Sequence, residues 1–508
     1  MRVRRQGLAI RVAIVALVAF GAYLRLFNFW RPELWLDEYS TWWVVAGSWR
    51  EVFERNPIAA STTPFYYLLV KGVVAVLGVS PFSLRLPSIL CGVGILALAY
   101  PLGLRLFRDR DTALISLVPF AMNQLLIWYC QEARPYALGL LCVMASWLCY
   151  LMVLERDRWI ARIGYGLATV GAYYTHYFFG FILVVQLLDL SLRQRWWRSP
   201  RWIGTFGGVA LLMLISIGHL RGLFASREVL AYLPKQEWWT VLNVAKQLLD
   251  VDIVGWAAGA VLVTWIVWRS NRRARALPEA RLLGMWFLLP LLCFGVFPPL
   301  IGATLLFAGN IHGVRFVLFT LPAALFIVGW LLASGGGQGW RQHLPIYIYA
   351  GVIAFLRFMP ALITEGTYGT WPVERFASAA RHVGSALEEN DRVLFGPGCV
   401  QADWLPVQER PDPLLTSFIA WPLAAYLPDQ AMQRVTLLPF RMNNKARAYL
   451  NAVAEQAAAH PRVWVIGRGP TVDYLIRRFS ARARTRTVQD VSYGQVRVAV
   501  FDLASLRQ

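Results

Sequence analysis

Apolar runs long enough to cross a bilayer as helices, about twenty residues each, recur through the first 363 residues. Clusters of arginine separate many of them. A segment inside the hydrocarbon core must satisfy its own backbone N–H and C=O groups, so each run is expected to be a helix. Spans are expected near 8–27, 84–104, 112–130, 135–154, 159–175, 177–192, 202–220, 255–268, 282–307, 315–333 and 344–363. The segment 64–79 is apolar but short.

The charges decide what kind of chain this is. Only 16% of the 508 residues are charged, against about a quarter in a soluble domain. The formal charge of +21 would suggest nucleic acid in a soluble protein. However, the residues from Glu365 onward hold 17 basic and 13 acidic side chains, a net of +4, which leaves +17 for the apolar part. There the basic groups cluster at Arg2/Arg4/Arg5, Arg105/Arg108/Arg110, Arg156/Arg158/Arg162, Arg193/Arg195/Arg198/Arg201 and Arg269/Arg272/Arg273/Arg275. They occupy every second loop, as cytoplasmic loops of a membrane protein do. No nucleic-acid partner is expected. The opposite loops are Leu34–Ser61, Tyr129–Pro135, Thr175–Tyr177, Arg221–Gly255 and Ala308–Arg315, and they hold most of the acids and histidines of this half.

The expected molecule is a polytopic α-helical membrane protein of about 11–13 transmembrane helices with a C-terminal soluble α/β domain. Asp37 outside and Arg105 inside require an odd number of passes between them. The segment 64–79 therefore reads as re-entrant or interfacial, giving about eleven full passes. The N-terminus is expected inside and retained, since no small-residue cleavage site follows the first run. Residues 1–363 form the membrane domain, with a first outer loop at 28–63, and residues 364–508 the extracytoplasmic domain. In that tail, Arg392–Phe395, Arg434–Leu438, Val463–Gly467 and Gln495–Phe501 read as strands, with helices at Pro372–Val383, Ala446–Ala459 and Val472–Phe479. Gly396-Pro-Gly398 and Gly467-Arg-Gly469 follow strands, either as tight turns or as the lining of a ligand cleft. Six cysteines without a CxxC pair offer no disulfide framework and no zinc or redox site.

A few polar groups break the apolar pattern on the outer side. Leu34-Trp-Leu-Asp37-Glu38-Tyr-Ser-Thr-Trp-Trp43 sets two carboxylates among tryptophans beside the membrane, where charge is expensive and usually functional. One of them is suited to act as a general base toward a hydroxyl or amine; the alternatives are cation binding or an aromatic belt with incidental acids. In Tyr129-Cys-Gln-Glu132-Ala-Arg134-Pro-Tyr136, Glu132 and Arg134 either pair with one another or leave Arg134 to hold a phosphate with its planar donor fork. Arg315 opens a helix from the same side, for a phosphate or as a snorkelling anchor. His176 sits at a helix end, where a hydrogen bond to the backbone is the simplest duty. Together these groups suit an enzyme that joins a lipid-phosphate donor to an outer acceptor. A transporter of lipid-linked sugars and a structural assembly subunit are the rival classes. Internal repeats, which transporters often carry, are absent.

At these residues the chain resembles the GT-C superfamily of membrane glycosyltransferases. It looks most like the family 39 branch of protein O-mannosyltransferases and lipid A aminoarabinose transferases. The resemblance rests on Leu36-Asp37-Glu38, Thr63-Pro64-Phe-Tyr66-Tyr67-Leu-Leu, Leu84-Arg85-Leu-Pro87-Ser88, Gln131-Glu132-Ala133-Arg134-Pro135-Tyr136-Ala137-Leu138, Thr175-His176-Tyr177 and Arg315-Phe316, in that order. It implies a GT-C-like bundle in a cell inner membrane and transfer on the periplasmic side. The donor it implies is a polyprenyl-phosphate-linked sugar, and the acceptor a lipid, glycan or protein. Asp37 matches the family's catalytic acid, with Glu38 its neighbour. Arg134 and Arg315 would hold the donor phosphate, and Glu132, Tyr136, His176, Tyr66 and Tyr67 are substrate-binding candidates. The family often has two prolines where this chain has Thr63-Pro64, which weakens any transfer of neighbouring donor contacts. Some members need a divalent metal; no residue cluster here demands a metal or another cofactor.

Overall fold

The computed structural model describes residues 2–59, 62–225, 244, 248, 278–296, 314–334, 374–406, 412–481 and 486–503. The spans expected near 255–268 and 344–363, the second half of 282–307, and Pro372 lie outside the described residues. Backbone contacts divide the chain into two units. One comprises Met1–Phe29, Thr62–Gly78 and Phe82–Gly369, the other Trp30–Ser61, Val79–Pro81 and Thr370–Gln508.

The helices in chain order are α1 (Arg2–Leu26), α2 (Leu36–Ala46), α3 (Trp49–Ala59), α4 (Phe65–Leu77), α5 (Pro81–Phe107), α6 (Arg110–Met122) and α7 (Gln124–Gln131). There follow α8 (Tyr136–Glu155), α9 (Trp159–Thr175), α10 (Phe181–Arg193), α11 (Pro200–Leu214), α12 (Ile217–Ala225), α13 (Ala280–Leu291) and α14 (Leu321–Ser334). In the tail come α15 (Phe376–Ala386), α16 (Pro413–Ala424), α17 (Asn444–Ala457) and α18 (Pro470–Ser480).

In the first unit, Leu8–Leu26, Pro81–Phe107 and Tyr136–Glu155 are long and apolar enough to cross a membrane. The single helix expected over 112–130 is instead two, α6 and α7, bent by 57°. Asn123 takes an extended backbone there and its side chain accepts the Leu126 N–H, so it starts a new helix rather than continuing the old one. The helix expected over 202–220 likewise breaks into α11 and α12. Helix α4 has 13 residues, about 20 Å at 1.5 Å per residue, short of the ~30 Å hydrocarbon core. Leu8, Val12 and Val15 of α1 are 60% or more exposed, the face a helix turns to lipid.

Small residues bring the helices together. At Gly329 of α14 a Cβ would fall 2.5 Å from the Ser116 Cα of α6, so only glycine permits this approach. Trp147 of α8 stacks on Trp286 of α13 with ring centroids 4.8 Å apart. Where these helices end, the arginine clusters meet carboxylates: Arg105 lies 3.5 Å from Glu155, Arg108 lies 3.7 Å from Glu279, and Arg281 lies 3.2 Å from Asp189. Arg193 bridges Asp189 and Glu279. Clusters far apart in sequence thus gather at the α8 end that carries Glu155.

In the second unit a five-stranded sheet is built from β1 (Arg392–Gly396), β2 (Val435–Leu437), β3 (Arg462–Gly467), β4 (Arg486–Tyr493) and β5 (Val496–Asp502). Its order is β2-β1-β3-β5-β4. The strands β2, β1 and β3 are parallel and β5 and β4 antiparallel. Leu394, Val463, Val465, Ala499 and Phe501 bury one face under Leu450, Ala454, Leu475 and Phe479 of α17 and α18. Each of the four strands expected in the tail has its counterpart, displaced by a residue or so. Strand β4 was not expected, since Arg-Thr-Val-Gln-Asp-Val-Ser-Tyr has too many polar residues to alternate.

Candidate functional site: a cation cluster and a carboxylate helix

In the first unit the residues around Arg134 occupy the turn between α7 and α8. The unsatisfied carbonyls at the end of α1 hold this turn: Gln131 Nε2 donates to the oxygens of Leu24, Arg25 and Phe27 at 3.3, 3.0 and 3.3 Å. From the other side, Ser88 Oγ donates to the Arg134 carbonyl at 3.2 Å, and the Tyr66 hydroxyl lies 2.9 Å from the same Oγ. Tyr66 and Tyr67 are both fully buried and meet edge to face at 5.6 Å. Tyr66 therefore pins the turn from α4 through Ser88. Arg134 and Glu132 are buried as well.

His176 stands in the turn that closes α9, 8% exposed. The Tyr136 ring is 6.0 Å from its imidazole and the Phe316 ring 5.9 Å. Burial first, then the positive charges of Arg315 and Arg134, hold its pKa down at about 3, so the imidazole is neutral. Its buried Nδ1 has no hydrogen-bond partner among the described residues. Arg315 carries its guanidinium 5.3 Å from the Phe316 ring centre. Arg134, Tyr136, His176 and Arg315 thus form one aromatic-walled cationic cluster, built from residues that stand apart by up to 181 positions in sequence. Two guanidinium groups and a neutral imidazole suit an anion with several oxygens, such as a phosphate.

In the second unit Asp37 and Glu38 occupy the first turn of α2, where a carboxylate is favoured by the helix dipole. Glu38 is buried, and its carboxylate accepts the Trp35 N–H at 3.4 Å, closing its own helix start. Asp37 is only half-buried. Of the two acids, Asp37 is the one a reactant can reach.

The remaining anchors of α2 come from the tail. Leu36 N–H donates to Glu374 Oε2 at 2.8 Å, the Tyr39 and Tyr426 hydroxyls are 2.9 Å apart, and Trp43 Nε1 donates to Ser417 Oγ at 3.1 Å. Glu33 accepts the Ser378 N–H at 3.1 Å, at the start of α15. None of these partners stood out in the sequence: a glutamate, a tyrosine and two serines in a soluble domain carry no local signal. Among the described residues no group of three or more His, Cys, Asp or Glu side chains is placed to hold a metal ion.

Residues 61–219 match the family model described as dolichyl-phosphate-mannose-protein mannosyltransferase. The chain is similar in structure to ArnT from Cupriavidus metallidurans in the apo state, with a TM-score of 0.55 at 14% identity over 99% of each chain. It is similar also to the same protein bound to undecaprenyl phosphate, with a TM-score of 0.54 at 14% identity over 97% of this chain and 98% of that one. No curated protein matches the chain. The fold is shared from end to end, although six residues in seven differ. The family match falls on the segment that carries Tyr66, Arg134 and His176, and the structural likeness shows that the chain shares the fold of these proteins.

Proposed function

We propose that the protein transfers a sugar from a polyprenyl-phosphate donor to an acceptor on the extracytoplasmic face of a cell membrane. The gathering of Arg134, Arg315 and Tyr136 around a neutral His176 carries this reading. The similarity to a structure containing undecaprenyl phosphate supports the same class of ligand. The N-terminus is then cytoplasmic and the α/β domain periplasmic, with the carboxylate-paired arginines at the inner end of the bundle.

In the mechanism, Asp37 takes the proton from the acceptor hydroxyl or amine as that atom attacks the anomeric carbon. The bond from that carbon to the phosphate oxygen breaks, and the electron pair leaves with the polyprenyl phosphate. Arg134 and Arg315 stabilise the charge that grows on the phosphate. One displacement inverts the anomeric centre. Glu38 holds the start of α2 through the Trp35 N–H. The donor carries its own leaving group, so the chemistry needs no nucleotide site.

The test is transfer from undecaprenyl-phosphate mannose and undecaprenyl-phosphate aminoarabinose in membranes containing the full-length protein. Mass spectrometry of surface glycans and lipids, with and without the protein, identifies the acceptor. Loss of transfer in Asp37→Asn is expected; turnover near wild type would sink the assignment.

A further inference from the structure

The helix that carries Asp37 begins without help from its own N-cap, because Trp35 has no side-chain oxygen to offer the first free N–H groups. Glu374 supplies the missing acceptor from 338 residues away, taking the Leu36 N–H at 2.8 Å. This carboxylate is 3% exposed, and a buried carboxylate needs a defined partner. Arg468 provides it, with Nη1 at 2.5 Å from the other Glu374 oxygen.

Arg468 is itself held by the two glycine turns. Its N–H donates to the Gly396 carbonyl at 2.9 Å and its Nε to the Pro397 carbonyl at 3.3 Å. At Gly467, with φ of +127°, a Cβ would lie 1.8 Å from the Gly396 oxygen, so the two strand ends close on each other only through glycine. Together the two turns aim one arginine. The order of support runs from the ends of β1 and β3 to Arg468, to Glu374, to the first amide of α2.

We propose that Glu374, aimed by Arg468, is a positioning residue for Asp37: it caps α2 from outside the helix and fixes where the adjacent carboxylate points. Asp37 is near enough for its charge to act on Glu374. This inference rests on the reading of Asp37 as the base, and its test separates the two.

The full-length protein in lipid nanodiscs is compared as wild type, Glu374→Ala, Glu374→Gln, Arg468→Gln and Asp37→Asn. In Glu374→Ala, hydrogen exchange at the amides of Leu36–Tyr39 should rise about 10- to 100-fold, the size of a lost hydrogen bond to a charged group, while β1 and β3 exchange as before. Transfer from undecaprenyl-phosphate mannose or aminoarabinose should fall in kcat by about the same factor, with donor KM within about twofold. Glu374→Gln keeps an acceptor for Leu36 and should recover most of both. Unchanged exchange at Leu36–Tyr39 in Glu374→Ala overturns the inference. A loss in donor KM equal to that in kcat overturns it too. Should Glu374→Ala not fold, Arg468→Gln must quicken the same amides, and no change there overturns it equally. Full activity in Asp37→Asn with faster exchange in Glu374→Ala overturns the catalytic reading and leaves the tether standing.

Discussion

The two sets of candidate residues are held in different ways. Arg134 and His176 stand in turns between helices, fixed by packing and by a few hydroxyl and amide bonds to neighbouring helices, as from Ser88 and Gln131. Asp37 sits half-buried at the start of a short helix joined to the α/β domain by ring packing, as of Trp43 on Phe418, and by polar bonds across some 340 to 390 residues of sequence, through Glu374, Ser417 and Tyr426. Truncating a packed side chain leaves a gap that its neighbours cannot close, whereas a half-buried side chain at a helix start can be exchanged for one of equal size without opening one. Truncation in the cation cluster should therefore disturb binding and folding together, whereas an exchange of one ring for another of similar size should spare folding. Around Asp37, turnover should change while the protein stays folded.

The strongest contrast is expected from Asp37→Asn. Removing a general base costs about 10²- to 10⁴-fold in kcat. Asn keeps the size, and Asp37 is half-buried at a helix start, so the melting temperature should stay within about 2 °C. Thermal unfolding in nanodiscs beside transfer assays checks both halves; a large drop in stability would mean that Asp37 is part of the scaffold.

Next in size is Trp147→Ala, from the packed side of the comparison. Trp147 is fully buried against Trp286, and such truncations cost about 3–5 kcal/mol in stability. Here the expected outcome is loss of folded protein, with the specific activity of the remaining fraction unchanged. Arg134→Ala should combine the two behaviours. Losing one charged donor to a phosphate costs about 10²- to 10³-fold in kcat/KM. Donor KM should carry part of that loss, and Arg134→Lys should restore only a fraction, because a point charge replaces a planar fork. An unchanged donor KM and kcat would remove Arg134 from the site.

The same division explains what was legible in the sequence. Apolar length and the arginine ladder reveal helices and loops, because the bilayer imposes them residue by residue. The motif residues at Asp37, Arg134, His176 and Arg315 stand out because charge beside a membrane is rare. The break at Asn123 is visible only in hindsight: an asparagine within an apolar run is a capping residue as readily as an interior one. What could not be read is the joining of Trp30–Ser61 to the tail. That union depends on Glu374, Ser417 and Tyr426, ordinary residues whose importance comes only from where the fold carries them. The glycine turns show the same limit, since spacing allows a cleft or a tight turn, and only the structure reveals the Gly396 carbonyl lying where a Gly467 Cβ would sit.

The smallest expected effect concerns His176 and sharpens the reading of the cation cluster. Its pKa is held near 3 in the fold, below the ordinary value of about 6.5 that the unfolded chain regains. The unfolded state then takes up a proton below pH 6.5 that the folded state refuses, so stability should be flat above pH 7 and fall on acidification. Between pH 6.5 and 5 the loss is about 1.6 kcal/mol, the slope rising toward 1.4 per pH unit as the unfolded imidazole becomes fully protonated. His176→Phe, placed among Phe178, Phe179 and Phe316, should abolish that slope while leaving the neutral-pH melting temperature near wild type. Undecaprenyl phosphate brings negative charge to the two arginines and permits a third positive group, so its stabilising effect should be larger at pH 5.5 than at pH 7.5. Equal stabilisation at both pH values would place the phosphate away from His176, and with it away from Arg134 and Arg315.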